Sequence, residues 1–232
     1  MSHPNRERAD KILDVAGELL LRMGYRKVAI DDIARAVGIG KGTVYLHWRT
    51  KERLFQALMM RESAELTEEI LHGLKADAAG ILPHRFIPAS FVATSRSPLM
   101  MAMLKGNADL LGSLGDAALQ AQQAAVVERL DELMRERGLV RSDVPNLTYA
   151  LRATATGFYF VDSLVPESVE EIALDAKAAA MAHVIKAAFE PPGDPDPEAV
   201  AAIAAELITA LEGIVSSYRH GIYAKDPATV PG

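Results

Sequence analysis

Apolar and polar positions repeat with helical spacing along most of this chain. Between residues 9 and 23, apolar side chains such as Ile12, Ala16 and Leu19 recur three or four positions apart, and Gly24 ends the segment. The same period, interrupted by glycine and proline, predicts further helices over about 51–73, 85–95, 99–111, 116–137, 146–164, 166–189 and 198–219. No segment combines strand periodicity with turn signals, so the sequence predicts an all-α protein.

Two short helices with a glycine turn between them are predicted inside the stretch 28–54. Apolar residues up to Val37 have helical spacing, and Gly38 and Gly40 favour positive φ and end that helix. A second short helix over about 41–48 places Val44 and Trp48 on its buried side, with Trp48 in the core. This order is typical of a helix-turn-helix, whose second helix enters the DNA major groove.

The helix after it has its own start signal. Thr50 offers a side-chain oxygen as N-cap for the helix that begins at Lys51. Residues 1–8 are polar and predict a loose arm, and the tail from residue 226 contains Pro and Gly and is expected to fray.

The segment GYRKVAIDDIARAVGIGKGTVYLHWRTKERLF resembles the DNA-binding segment of the TetR family of bacterial transcriptional repressors. The resemblance rests on Gly24-Tyr25 at the end of the first helix and on KGTVYLHW at residues 41–48, and it extends over about residues 9–58. It implies an N-terminal three-helix DNA-binding domain (1–50), a larger helical ligand-binding and dimerisation domain (51–225) and a tail (226–232).

Three positions depart from the family pattern. Ala29 replaces a threonine, Gly40 a serine and Trp48 the commoner phenylalanine. We expect Asp31 or Asp32 to supply the cap lost at residue 29.

The resemblance also implies which side chains contact DNA. Lys41, Tyr45 and His47 would reach phosphates and base edges, Thr43 and Leu46 would reach bases, and Lys51 would contact a phosphate. Leu46 can offer only apolar contact, for example to a thymine methyl group. Two alternatives remain open, in which the Tyr45 ring packs inside the domain and His47 serves in packing or capping.

The distribution of charge supports this orientation. Residues 1–61 hold 12 Lys and Arg against 7 Asp and Glu, and the rest of the chain holds 13 against 24. A basic head on an acidic body directs the head toward phosphates, although a chance fluctuation of surface charge would look the same. The chain has no cysteine and no uninterrupted apolar run of the roughly 18 residues that span a bilayer. We therefore expect a cytoplasmic protein without disulfides or a membrane segment.

The central helices are rich in soft and aromatic side chains, which suit an adaptable apolar pocket. The alternative is that these residues are plain core, which for each residue taken singly is the better supported interpretation. The candidate pocket residues are Phe86, Phe91, Met100, Met103, Leu104, Gln122, Arg152, Phe158 and Tyr159.

A helix-turn-helix of this kind acts as a dimer that places two recognition helices one DNA turn apart. Apolar stripes near the C-terminus are the candidate dimer surface, and the helix at about 167–190 is an addition to the family plan. The candidate interface residues are Leu151, Ala155, Ile203, Leu207, Leu211 and Ile214.

The sequence has no nucleophile motif, no His-Glu-x-x-His and no histidines at metal-ligand spacing, so we predict no enzyme, no metal and no cofactor. We predict a homodimeric repressor that binds a palindromic double-stranded operator and is released by a small apolar effector. The alternatives are a DNA-binding regulator without such an effector and an all-α enzyme with an appended helix-turn-helix.

Overall fold

A computed structural model describes residues 3–106, 117–165 and 172–223 of the chain. These residues contain no strand, which confirms the all-α prediction. The helices are α1 (His3–Met23), α2 (Ile30–Val37), α3 (Lys41–His47), α4 (Lys51–Ala76), a 3-10 turn (Ala78–Ile81), α5 (Pro83–Arg96), α6 (Pro98–Gly106), α7 (Ala117–Glu136), α8 (Leu147–Leu164), α9 (Leu174–Phe189) and α10 (Pro197–Ile222).

Two predicted helix starts are wrong. Helix α1 begins at His3, so residues 3–8 are not a loose arm, and the guanidinium of Arg6 lies over the Tyr223 ring, 4.8 Å from its centroid. Helix α9 begins at Leu174, and Asp175 in its first turn favours that start because a negative charge stabilises a helix N-terminus. Parts of the helices predicted over 99–111 and 166–189, and the tail from 226, lie outside the described residues.

The described residues form two compact units. The first takes residues from 1–65, 97–119 and 215–232, and the second takes residues from 66–96 and 120–214. The division predicted at residue 50 follows the local motif, whereas the first unit also includes the start of α4, all of α6 and the last turns of α10.

The first unit is organised around completely buried side chains of α1, α2 and α4. Ile12 and Leu13 of α1, Ile33 of α2, and Leu54 and Phe55 of α4 each have 0% exposure. Leu99 of α6 fits against Gly17 of α1, where a Cβ atom would lie 3.0 Å from a leucine methyl group.

The second unit contains two apolar clusters. One joins α4, the 3-10 turn, α7 and α10 through buried residues such as Leu74, Ile81, Leu133 and Ile203. The other joins α5 and α9 through Phe91, Met181, Ile185 and Phe189, and partly buried residues of α8 pack against it.

One described helix, α10, is long and apolar enough to cross a membrane by length and composition alone, with a mean hydropathy of 1.7. Glu206 and Glu212 interrupt its apolar residues, so the helix contains no continuous apolar run of that length. Its residues Ile203 and Leu207 pack into a cluster of the second unit, as the residues of a core helix do.

Candidate nucleic-acid interface

The turn between α2 and α3 is a Schellman motif built on Gly38. Gly38 has φ 79°, and its N–H donates to the carbonyl oxygen of Arg35 at 3.2 Å, while the N–H of Ile39 donates to that of Ala34 at 3.0 Å. Gly40 has φ −73°, so the expectation of positive φ holds for Gly38 and is wrong for Gly40.

Helix α2 begins without the threonine of the family pattern. The Asp32 carboxylate accepts a hydrogen bond from the N–H of Ala29 at 3.2 Å, which satisfies a backbone donor before the first turn. Likewise the Thr50 hydroxyl accepts from the N–H of Arg53 at 3.1 Å, as expected for the N-cap of α4.

Helix α3 has seven residues and is held by two buried side chains. Val44 is completely buried, and Trp48, directly after the helix, is 4% exposed as predicted for a core residue. The opposite side presents Tyr45, which is 39% exposed, and Leu46, which is 78% exposed. A leucine with that exposure has no role in the core of its own unit, and this face is suited to contact with a partner surface.

Lys41 and Asp31 form an exposed ion pair at the start of α3. The Lys41 ammonium lies 3.0 Å from an Asp31 carboxylate oxygen, and this hydrogen bond together with the carboxylate charge raises the pKa of Lys41. Lys41 is therefore charged, but its ammonium is shared with a carboxylate that repels phosphate.

His47 is half-buried at the end of α3. Burial lowers its pKa from the ordinary value, and the positive charge of Arg8 lowers it further. The imidazole is therefore neutral at pH 7 and its ring stacks obliquely near Trp48, with 5.5 Å between the centroids. Both the DNA-contact and the packing interpretations of His47 fit this position.

Lys51 at the start of α4 reaches back to Tyr25, two residues after the end of the first helix. Its ammonium donates to the carbonyl oxygen of Tyr25 at 2.6 Å and lies 4.3 Å from the centroid of the Tyr25 ring. Burial lowers the pKa of Lys51. Tyr25 is itself held edge-on to Phe55, with ring centroids 5.1 Å apart. An ammonium has three N–H groups, so Lys51 keeps donors for a phosphate.

The predicted pocket residues separate into groups. Phe91 packs edge-on against Tyr159 and Phe158, with ring centroids 5.0 and 6.4 Å apart, in a filled cluster of the second unit. Met100, Met103 and Leu104 belong to α6 in the first unit, and the Met103 side chain is outside the described residues. Arg152 is exposed on α8.

Two grooves of the second unit contain one predicted pocket residue each. Phe86 lines a groove of about 300 Å³ between α4 and α5, with Glu69 and the Asp77–Arg85 ion pair among its walls. Gln122 lines a groove of about 250 Å³ between α7 and α10. The other side chains of this second groove are mainly aliphatic: Ala125, Val126, Leu130, Leu133, Leu207 and Ala210, with Arg129 and Glu206.

The candidate dimer residues also differ in position. Ile203, Leu207 and Ile214 are 1%, 5% and 5% exposed, so the chain itself covers them. Leu211 packs against the cluster that contains Ile203. On α8, Leu151 packs against the Phe91 cluster and Ala155 is half-buried.

An apolar face that the candidates did not include lies on α8 and α9. Helix α8 has no buried residue, and six of the ten most exposed large apolar side chains of the described residues fall between 149 and 184. These six are Tyr149, Val161, Leu164, Val165, Ile172 and Val184. The apolar period of α8 signals such a face, but the period alone does not say which side of a helix stays uncovered.

Sequence reasoning also missed the partners of the interface residues. It did not assign the contacts of Lys41 with Asp31, of Lys51 with Tyr25, or of Trp48 with Ile222. The last two contacts join residues 26 and 174 positions apart, which no local pattern indicates. Among the described residues, no three His, Asp or Glu side chains come together as metal ligands.

The comparisons with known proteins agree with this geometry. Residues 12–58 match the family model described as "Bacterial regulatory proteins, tetR family". The HTH-type transcriptional regulator AlkX of Mycobacterium tuberculosis is 32% identical over 107 residues, which are 44% of this chain and 50% of AlkX. The HTH-type transcriptional regulator QacR of Staphylococcus aureus is 37% identical over 60 residues, 26% of this chain and 32% of QacR. The chain thus matches a third to a half of the length of these relatives.

A solved structure is similar over a greater length. NalD, the secondary repressor of the MexAB-OprM multidrug efflux pump in Pseudomonas aeruginosa, superimposes with a TM-score of 0.56 at 21% identity, over 83% of this chain and 100% of NalD. At this identity the likeness shows that the two proteins share a fold.

Proposed function

The chain belongs to the TetR family of bacterial transcriptional regulators, and from that premise we propose that it is a repressor which binds a palindromic operator as a homodimer and leaves it when a small apolar effector binds. The observation that carries the proposal is the outer face of α3. Leu46 and Tyr45 are exposed there, while Val44 and Trp48 hold the helix from the other side. Relatives and structural neighbours are named as regulators, and NalD is named as a repressor.

In this proposal the exposed face of α3 lies in the major groove. Leu46 contacts a thymine methyl group, Thr43 contacts a base edge, and Tyr45 and His47 donate to phosphates or bases. Lys41 and Lys51 contact phosphates, each with at least one donor beyond its present partner. Neutral His47 gains a proton when it meets a phosphate, because a nearby negative charge favours the charged imidazole.

The proposed dimer forms through the uncovered face of α8 and α9. On α8 one stripe runs through Tyr149, Ala153, Gly157, Val161 and Leu164, all of which are exposed. A matching stripe on α9 is rich in alanine, which allows two helices to approach closely. Two α8–α9 pairs related by a twofold axis would bury this surface in a four-helix arrangement.

The proposed effector site is the groove between α7 and α10. Its walls are mainly aliphatic, Gln122 supplies a hydrogen-bonding amide, and the ion pair of Arg129 and Glu206, 2.9 Å long, joins the two helices. An effector releases DNA only to the extent that it binds one conformer of the dimer more tightly than the other, with a coupling of about 1–3 kcal/mol. Helices α4 and α10 each contribute residues to both compact units and are the candidate connections.

Selection of bound sequences from random duplex DNA, at near-physiological salt, tests the DNA-binding part. An inverted repeat with half-sites about one helical turn apart is the expected result. A pool no different from the non-specific background would reject the proposal of an operator-binding dimer.

Thermal unfolding in the presence of small apolar compounds, such as lactones, fatty acids and aromatic hydrocarbons, tests the effector part, because a ligand of the native state raises Tm. Ala125→Phe fills the α7–α10 groove and should abolish the shift. Ala89→Phe, at an alanine of the α4–α5 groove that is also exposed, is the matched control and should retain it. The opposite pattern would move the site to the α4–α5 groove.

A further inference from the structure

Beyond the helix-turn-helix itself, we propose that the C-terminal turn of α10, residues 218–223, contributes to DNA recognition by positioning the recognition helix α3. The proposal rests on the DNA-binding function proposed above. It concerns a segment 160 residues beyond the end of the family match at residue 58.

The central contact joins the end of α3 to the end of α10. The indole N–H of Trp48 donates to the carbonyl oxygen of Ile222 at 3.1 Å, and Ile222 is completely buried. The last carbonyls of a helix have no partner within it, and a buried indole N–H needs an acceptor. Each group therefore satisfies the other.

The same turn has further partners in the first unit. The Tyr223 hydroxyl donates to the carboxylate of Asp10 in α1, and the Arg6 guanidinium lies over the Tyr223 ring. Tyr218 is 5% exposed and hydrogen-bonded to Ser63 of α4. The turn thus contacts α1, α4 and Trp48, the residue that follows α3.

At Gly221 the backbone of this turn lies close to the Met60 side chain. A Cβ atom at Gly221 would lie 2.6 Å from the Met60 sulfur of α4, nearer than real Cβ contacts. Gly213, eight residues earlier in α10, has only ordinary contact available, with its nearest neighbour at 3.8 Å. A side chain at Gly221 would therefore displace the Met60 side chain, whereas one at Gly213 would displace nothing.

The consequence for recognition follows from the length of α3. A helix of seven residues does not hold itself in place, so its orientation depends on its buried anchors. There are two such anchors among the described residues of this segment, Val44 and Trp48, and Trp48 is bonded to α10. His47 is adjacent to Trp48 in the chain. The C-terminal turn therefore sets the position of Trp48 and, with it, the outward direction of His47 and Leu46.

The chain offers a built-in probe of this contact, since Trp48 is its single tryptophan. We would compare the full chain with chains that end at Tyr223 and at Ser217, and with the full-length variants Gly221→Ala and Gly213→Ala. Ending the chain at Ser217, or placing a methyl group at Gly221, should shift the Trp48 emission to longer wavelength and increase its quenching by acrylamide. Ending the chain at Tyr223, and Gly213→Ala, should leave both unchanged.

The second measurement separates positioning from mere stability. For each protein that remains folded and dimeric, the ratio of affinity for the selected duplex to affinity for random duplex is determined. The expected result for Gly221→Ala is a fall of about tenfold in this ratio, the size of one lost base contact, with non-specific affinity retained. Gly213→Ala should keep the ratio of the full chain.

Three outcomes would overturn the proposal. Unchanged tryptophan emission in both the Ser217 chain and Gly221→Ala would mean that the turn does not cover Trp48. A changed emission with an unchanged specificity ratio would mean that the contact stabilises the unit without positioning α3. Failure of the intact chain to prefer any duplex would reject the proposed DNA-binding function and the positioning role together, while the emission data would still report the contact.

Discussion

Lys51 provides the sharpest test of how this protein binds DNA, because its ammonium has one partner within the protein and, in our proposal, a DNA phosphate as a second partner. The ammonium donates to the Tyr25 carbonyl at 2.6 Å, in a partly buried position. Lys51→Met removes the charge and keeps most of the apolar stem. Loss of this charged hydrogen bond should lower the free energy of unfolding by about 1–2 kcal/mol. In a chain of this size that corresponds to a fall in Tm of about 2–8 °C.

The effect on DNA binding has a separate signature. A phosphate contact contributes about 0.9 to the slope of log affinity against log salt, so two copies in a dimer contribute about 1.8. Between 50 and 200 mM salt, the unsubstituted protein should then lose about twelvefold more affinity than Lys51→Met. Fluorescence anisotropy with the selected duplex, measured at four or five salt concentrations, gives both slopes.

A purely internal role for Lys51 predicts something different. If Lys51 only fixes Tyr25 and the start of α4, Lys51→Met weakens binding by the same factor at every salt concentration. The two lines would then be parallel, and Lys51 would leave the list of phosphate contacts. Lys51→Arg keeps the charge and is the control, whose slope should match that of the unsubstituted protein.

Three more changes have defined outcomes. His47→Gln should flatten the pH dependence of DNA affinity. In the unsubstituted protein the His47 pKa is lowered in the free state and should be raised by a phosphate in the complex, so binding takes up a proton. The affinity of that protein should therefore rise as pH falls from 7.5 to 6, by up to about tenfold for each unit by which the two pKa values differ. Equal pH profiles for both proteins would remove His47 from the contacts. Asp31→Asn should tighten DNA binding by about twofold per half-site at low salt, because it removes one unit charge about 10 Å from a phosphate in water. The gain over the unsubstituted protein should shrink as salt rises. DNA titration at two salt concentrations checks this, and weaker binding by the variant would contradict it. Val161→Arg should weaken dimerisation at least about 100-fold in sedimentation experiments, because it buries an unpaired charge in the proposed interface. Val127→Arg, at a valine of α7 with 42% exposure against 41% for Val161, should leave the dimer intact, and equal behaviour of the two variants would argue against the α8–α9 interface.

The helix-turn-helix could be predicted from sequence because its signals are local. The Schellman turn at Gly38, the Thr50 cap and the buried pair Val44 and Trp48 each depend on residues within a few positions of one another. Such signals indicate which side of a short helix is buried. They do not indicate the partners of Lys41 and Lys51, because an ammonium donates to any nearby oxygen and the fold decides which one is near.

The candidate dimer residues show a different limit of prediction from sequence. The periodicity of α8 and α10 marks an apolar stripe on each, but an apolar stripe requires only that something covers it. On α10 the chain itself covers Ile203, Leu207 and Ile214, whereas on α8 Tyr149, Val161 and Leu164 remain exposed. Two stripes that look alike in sequence thus have opposite environments. The difference depends on contacts between distant segments, which a single sequence does not encode locally.

The end of α10 shows both a local sequence signal and a contact between distant segments. Its apolar residues continue with a period of four through Ile214, Tyr218 and Ile222, past Arg219, the predicted end of the helix. This continued period in the sequence indicates that the last turns of α10 are buried. The partner of Ile222, Trp48, lies 174 positions away in the chain, and the period does not predict it. A motif match therefore identifies the surface proposed to face DNA, while in our proposal the position of that surface depends on a helix end that the motif does not contain.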